Sequence, residues 1–121
     1  MLIKVFATFT FAGFHQWPGA PDDCAYLRFP HRHLFHVRIE KRVNHDDRDI
    51  EFITLKEAGE ATVNQVKADG TDTSTWSCER WAIYLMMKLD LEKCEVSEDN
   101  ENGASVERQT VDDIESIQPI G

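Results

Sequence analysis

At 121 residues and 41% hydrophobic content, the chain has the length and apolar content of one compact domain, not of two independent cores. A net charge of -9 disfavours nucleic acid and anionic membrane surfaces as partners, and the one dense basic stretch, Arg28 to Arg42, is interleaved with apolar residues as in a strand. No apolar run is long enough to span a bilayer, and three cysteines without a CxxC pair point to a reducing, cytoplasmic setting without a disulfide framework.

In chain order, Leu2 to Thr10 alternates as a strand with Ile3, Val5, Ala7 and Phe9 on the buried face. That period, with no small-x-small cleavage site behind it, argues against a signal peptide. Gly13 to Pro30, with Trp17-Pro18-Gly19-Ala20-Pro21 and Phe29-Pro30, is predicted as a long structured loop, and loops of that length are commonly functional. Its aromatic residues Phe14, Trp17, Tyr26 and Phe29 suit either stacking on a substrate or packing at an interface.

His33 to Val43 alternates as a second strand, with Phe35, Val37 and Ile39 on one face and His36, Arg38 and Glu40 on the other. Asn44-His45-Asp46-Asp47 has turn chemistry, and Ile50 to Thr54 reads as a short third strand. Leu55 to Lys67 is a helix weakened by Gly59, Thr62 and Val63. A stronger helix follows, capped by Thr75 or Ser77, with Trp81, Tyr84, Leu85 and Leu89 at helical spacing. Lys93 to Ser97 and Ala104 to Gln109 form a closing hairpin, with Asn102-Gly103 as the expected turn dipeptide. The class is α+β, as a single domain over residues 1–111 and an acidic tail over 112–121 that holds Asp112, Asp113 and Glu115.

His31-Arg32-His33 is the sharpest local feature. Residues two apart on a strand point to the same side, so both imidazoles can reach one ion. Zinc takes imidazole nitrogens at about 2.0–2.1 Å, and a catalytic zinc site uses three protein ligands. His15, just past the first strand, is the natural third ligand. Spacing alone leaves open both a zinc site and an accidental HxH, with one His packed and the others solvated. His36 points to the other face, and His45 sits in a turn.

Several further segments fall in a recognisable order: Phe9-Thr10-Phe11-Ala12-Gly13-Phe14-His15, then Pro30-His31-Arg32-His33-Leu34-Phe35-His36-Val37, then Ile50-Glu51-Phe52-Ile53-Thr54-Leu55-Lys56. Ser77-Cys78-Glu79-Arg80-Trp81-Ala82 and Val96-Ser97-Glu98-Asp99-Asn100-Glu101-Asn102-Gly103 complete it. Together they resemble the 6-pyruvoyltetrahydropterin and 6-carboxytetrahydropterin synthase family, a branch of the tunnelling-fold (T-fold) superfamily, over nearly the whole chain. The resemblance implies a β-β-α-α-β-β protomer, an antiparallel sheet with two helices on one face, whose sheets join into barrels as homo-oligomers, trimers or stacked hexamers. It implies zinc on His15, His31 and His33. It also implies that Glu98 accepts the ring NH and amino protons of a pterin or purine-like ligand, a match of two acceptor oxygens to two adjacent donors. Ser77, opening the matching helix segment, is a second ligand-binding candidate. By composition alone Glu98 is an ordinary turn acid, with Asp99 standing where the family has Thr.

The proton-transfer residues depart from that pattern. Leu27 occupies the place of the family Cys, which leaves Cys24 as the candidate catalytic thiol or as a small half-exposed one. No His lies between Lys56 and Ser77, where the family carries Leu-Asp-His-x-x-Leu-Asn. Each lost acid–base group costs roughly 10²–10⁴-fold in rate. The reading is therefore a zinc-binding synthase-like protein, a zinc lyase if an enzyme, in which Cys24, His36, Glu79 or Asp99 stands in for the relay. The alternative is a non-catalytic protein that binds or sequesters a pterin, deazapurine or purine nucleotide.

Overall fold

The alternation that begins at Ile3 continues to His15, so strand β1 spans Ile3–His15 and takes in the first residues of the expected loop. In the computed structural model, which describes residues 1–109, a short 3-10 helix at Asp22–Arg28 follows, and then β2 at His31–Val43. Helices α1 (Phe52–Ala68) and α2 (Cys78–Leu89) come next, and β3 (Lys93–Glu98) and β4 (Asn102–Glu107) close the chain. The acidic tail, and the domain end at residue 111, lie outside the described residues.

The strands form one antiparallel sheet in the order β1-β2-β3-β4. Ala7 and Phe9 of β1, Phe35, Val37 and Ile39 of β2, and Cys94 and Val96 of β3 share its buried face. Leu55, Val63 and Val66 of α1 and Trp81, Ala82 and Leu85 of α2 complete the same core. Trp81, Leu85 and Leu91 are almost wholly buried, and a side chain of that size contributes about 1.5–3 kcal/mol on full burial. The α+β class and the antiparallel sheet agree with expectation. The element order differs by the 3-10 helix between β1 and β2. No helix among the described residues is long and apolar enough to cross a membrane.

Three local expectations are corrected. Ile50 to Thr54 is not a strand: the Glu51 side chain accepts from Ile53 N (3.0 Å) and Thr54 N (2.9 Å) and caps α1, so the helix starts at Phe52. Gly59 does not weaken α1 without purpose. A Cβ there would lie 2.5 Å from Phe9 Cε1 and 3.1 Å from Ile39 Cδ1, so the glycine lets the helix settle on the sheet. The hairpin turn is not Asn102-Gly103 but Asp99-Asn100, both left-handed (φ 54° and 59°), closed by Glu101 N donating to Glu98 O at 3.0 Å. Gly103 lies inside β4, where it allows a close backbone approach to β3. Of the two candidate caps for α2, Ser77 takes the role, its Oγ accepting from Arg80 N at 3.1 Å.

Glu40 is the one buried charged residue among the described positions. Burial pushes its carboxyl up, but Lys4 Nζ at 2.9 Å and Arg38 Nε at 3.2 Å outweigh that and hold it below its ordinary 4.5. Because the folded value is depressed, the pair's stabilisation is complete above pH 4.5 and is lost as pH falls through the folded value. Urea midpoints of the wild type and Glu40→Gln, measured from pH 7 to pH 3, are expected to converge on acidification. A gap that does not close with pH contradicts this assignment.

Candidate metal centre

The β1–β2 ladder pairs His15 with His31 and Gly13 with His33, so the end of one strand faces the start of its neighbour. Residues 13 and 15 of β1 and 31 and 33 of β2 lie on the face that carries Phe9, Phe35 and Val37. The cluster thus extends the core face beyond the apolar residues. His15, His31 and His33 each bring one ring nitrogen to within 4.8 Å of the other two. Ring centroids are 4.5 Å apart for His31–His33, 5.4 Å for His15–His31 and 6.2 Å for His15–His33. Among the described residues no other group of His, Cys, Asp or Glu side chains converges in this way.

The outer nitrogens of two rings are held. His31 Nδ1 donates to Phe29 O at 2.9 Å. His33 Nδ1 lies 2.7 Å from Asp99 Oδ2, whose other oxygen accepts from Leu34 N at 3.0 Å. Those two interactions, Leu34 N first, hold the Asp99 carboxyl below its usual range. A carbonyl and a carboxylate only accept, so each imidazole carries a proton on Nδ1, and the neutral ring that ligates a metal then has its lone pair on Nε2. His31 Nε2, His33 Nε2 and His15 Nδ1 are buried atoms without a hydrogen-bond partner. Leaving a buried polar atom unpaired costs about 1–3 kcal/mol, and three such atoms in one place fit a shared cation. Burial lowers the His15 pKa; Glu98 opposes that shift, and His31 and His33 add to it. A neutral imidazole is the form that ligates. The donor set, three nitrogens with outer partners on two rings, fits zinc.

Glu98 ends β3 on the same face. Its Oε2 is 3.5 Å from His33 Nε2 and its Oε1 is 3.7 Å from His15 Nδ1. Glu98 and the three histidines are therefore brought together. Of the remaining sequence candidates, Asp99 reaches the cluster through His33, and the others take other places. Cys24 lies in the 3-10 helix at a kink (φ -132°, ψ 38°) and does not join the cluster. Ser77 is engaged as the cap of α2. Glu79 is exposed in the first turn of α2. His36 lines an open groove of about 800 Å³ with Thr8, Thr10, Arg38, Glu95 and Ser97, on the sheet face opposite the histidines. A second thiol, Cys78 at the start of α2, is pushed up to about 11 by burial, with Glu98 and Glu79 nearby.

The structure adds one side chain and one carbonyl to the candidates for orienting the rings: the Asp99 carboxylate and Phe29 O. Asp99 follows Glu98 directly, but its contact with His33 spans 66 positions, and only the β2–β3 register brings it there. A scan of the chain against known protein families, and against curated proteins, finds no match.

Proposed function

We propose that His15, His31 and His33 bind zinc, and that the metal and Glu98 together hold a pterin or purine-like ligand in a T-fold protein related to the 6-pyruvoyl- and 6-carboxytetrahydropterin synthases. The observation that carries the metal is the convergence of three unpartnered buried ring nitrogens with outer hydrogen bonds on two rings. When bound, zinc supplies Lewis-acid polarisation of a ligand hydroxyl or carbonyl. The chain's own contribution is to orient the three rings and to present Glu98, whose two acceptor oxygens suit the paired donors of a guanidine-like edge. Glu98 lies against His15 and His33 in the single chain, so taking that edge requires its side chain to turn outward.

Homo-oligomerisation as a trimer or hexamer belongs to the same reading. β1 and β4 are the outer strands of the sheet. Phe14, Tyr26 and Phe29, on and beside the strands that carry the histidines, are 66%, 73% and 70% exposed. Aromatic surface of that extent suits a subunit interface beside the site.

A second reading, ligand binding without turnover, is favoured by one observation: among the described residues no thiol belongs to the histidine cluster. Cys24 is not in it, and burial pushes the Cys78 thiol up to about 11.

Two steps test the proposal. Zinc at about 100 times its Kd adds about 2.7 kcal/mol of stability, which raises the melting temperature of a domain of this size by about 10 °C or more. The zinc-loaded protein is then screened with pterins and purine nucleotides, for a further thermal shift and for products by mass spectrometry. A product from dihydroneopterin triphosphate, sepiapterin or a guanine nucleotide supports the lyase-type reading. A shift without a product supports the binding reading. No shift with any of these ligands overturns the ligand class.

A further inference from the structure

We infer that Asp99 is the positioning residue of the histidine cluster, fixing the tautomer of His33 and thereby setting the zinc affinity of the site. The inference rests on reading the histidines as zinc ligands. It deepens that reading by naming the residue that tunes them.

Asp99 is clamped to β2 from both sides. Its backbone N donates to Leu34 O at 2.7 Å, and its Oδ1 accepts from Leu34 N at 3.0 Å. With the residue so held, Oδ2 meets His33 Nδ1 at 2.7 Å, the short separation of a charge-assisted bond. The carboxylate cannot donate, so Nδ1 keeps its proton, and in the neutral ring Nε2 faces the cluster as a lone pair, 3.5 Å from Glu98 Oε2. A carboxylate behind a ligating imidazole also raises its basicity, and losing such a partner typically weakens metal binding about 10–100-fold.

The turn allows a clean substitution. Asp99 sits at φ 54°, a conformation that Asn adopts as readily as Asp. Asp99→Asn therefore keeps the turn. Its amide can retain the oxygen toward Leu34 N only by aiming its NH₂ at His33 Nδ1. The donor now faces Nδ1, which must become the acceptor, and the proton moves to Nε2, where it blocks the metal-facing position.

The test has two readouts on the full chain. In the zinc-free protein, ¹⁵N chemical shifts are expected to place the His33 proton on Nδ1 in the wild type and on Nε2 in Asp99→Asn. Chelator competition is expected to give a zinc Kd about 10–100-fold weaker for Asp99→Asn, and an unchanged Kd for Glu101→Gln in the same turn. If Asp99→Asn does not fold, Asp99→Gly carries the affinity test, because glycine adopts positive φ without strain. A wild-type proton on Nε2, or equal zinc affinity in the wild type and the Asp99 variant, overturns the inference while leaving the metal reading intact. A wild type that binds no zinc overturns both.

Discussion

Replacing His33 by alanine is expected to lower zinc affinity by more than about 100-fold, beyond the range typical for loss of an outer partner. His33 is central to the cluster. Its ring lies 4.5 Å from that of His31, its Nε2 is 3.5 Å from Glu98, and its Nδ1 is tied to Asp99. Removal leaves two imidazoles, fewer than the three protein ligands that an open zinc site uses. It also releases Asp99 and Glu98 from their histidine contacts. His36→Ala is the matched control, because His36 is on the same strand but faces the groove on the opposite side of the sheet. Chelator competition on both variants reads the difference. Zinc held by His33→Ala with wild-type affinity contradicts the assignment.

The second large effect is expected at Gly103. A Cβ at that position would overlap Val96 O and come within 2.5 Å of Ser97 Cα and 2.8 Å of Ser97 Cβ. The obstructing atoms are largely backbone, and Val96 is completely buried in the core, so the strand cannot yield cheaply. Gly103→Ala must spread β3 from β4. We expect a loss of about 3 kcal/mol, at the upper end of overpacking costs, and a melting temperature lower by at least about 10 °C. Zinc affinity is expected to fall as well, because β3 ends in Glu98 and the same hairpin turn carries Asp99. Gly70→Ala makes a useful comparison: its positive φ of 81° strains the backbone, but a Cβ there meets nothing within 4 Å. That variant should lose only about 1–2 kcal/mol. Equal thermal shifts for the two variants would sink the close-approach explanation.

The histidine pair was legible because a strand has a period of two, and two histidines flanking Arg32 must share a face whatever else the chain does. His15 was legible from chain order, since it ends the strand that pairs with β2. Glu51 misled the reading of its segment: Ile50, Phe52 and Thr54 alternate like a strand, yet the Glu51 carboxylate caps a helix and ends the alternation. Gly59 lowered the apparent helix propensity of α1 because propensity does not register Phe9 and Ile39 pressing on that turn. At the hairpin, Asn102-Gly103 is the stronger turn signal by residue type. The turn forms instead at Asp99-Asn100, two residue types that also tolerate positive φ, and Gly103 meets a packing need in β4. The tie from Asp99 to His33, and that from His31 to a backbone carbonyl, depend on register and loop path, which residue patterns do not specify.

Zinc K-edge X-ray absorption on the zinc-loaded protein reads directly whether three imidazoles hold the metal. A three-imidazole zinc site is expected to give one bound zinc per chain, with a nitrogen and oxygen shell at about 2.0–2.1 Å and outer-shell scattering from three imidazole rings, reduced by one ring in His15→Ala. Sulfur in the first shell, fewer than three imidazoles, or a spectrum unchanged in His15→Ala would contradict it.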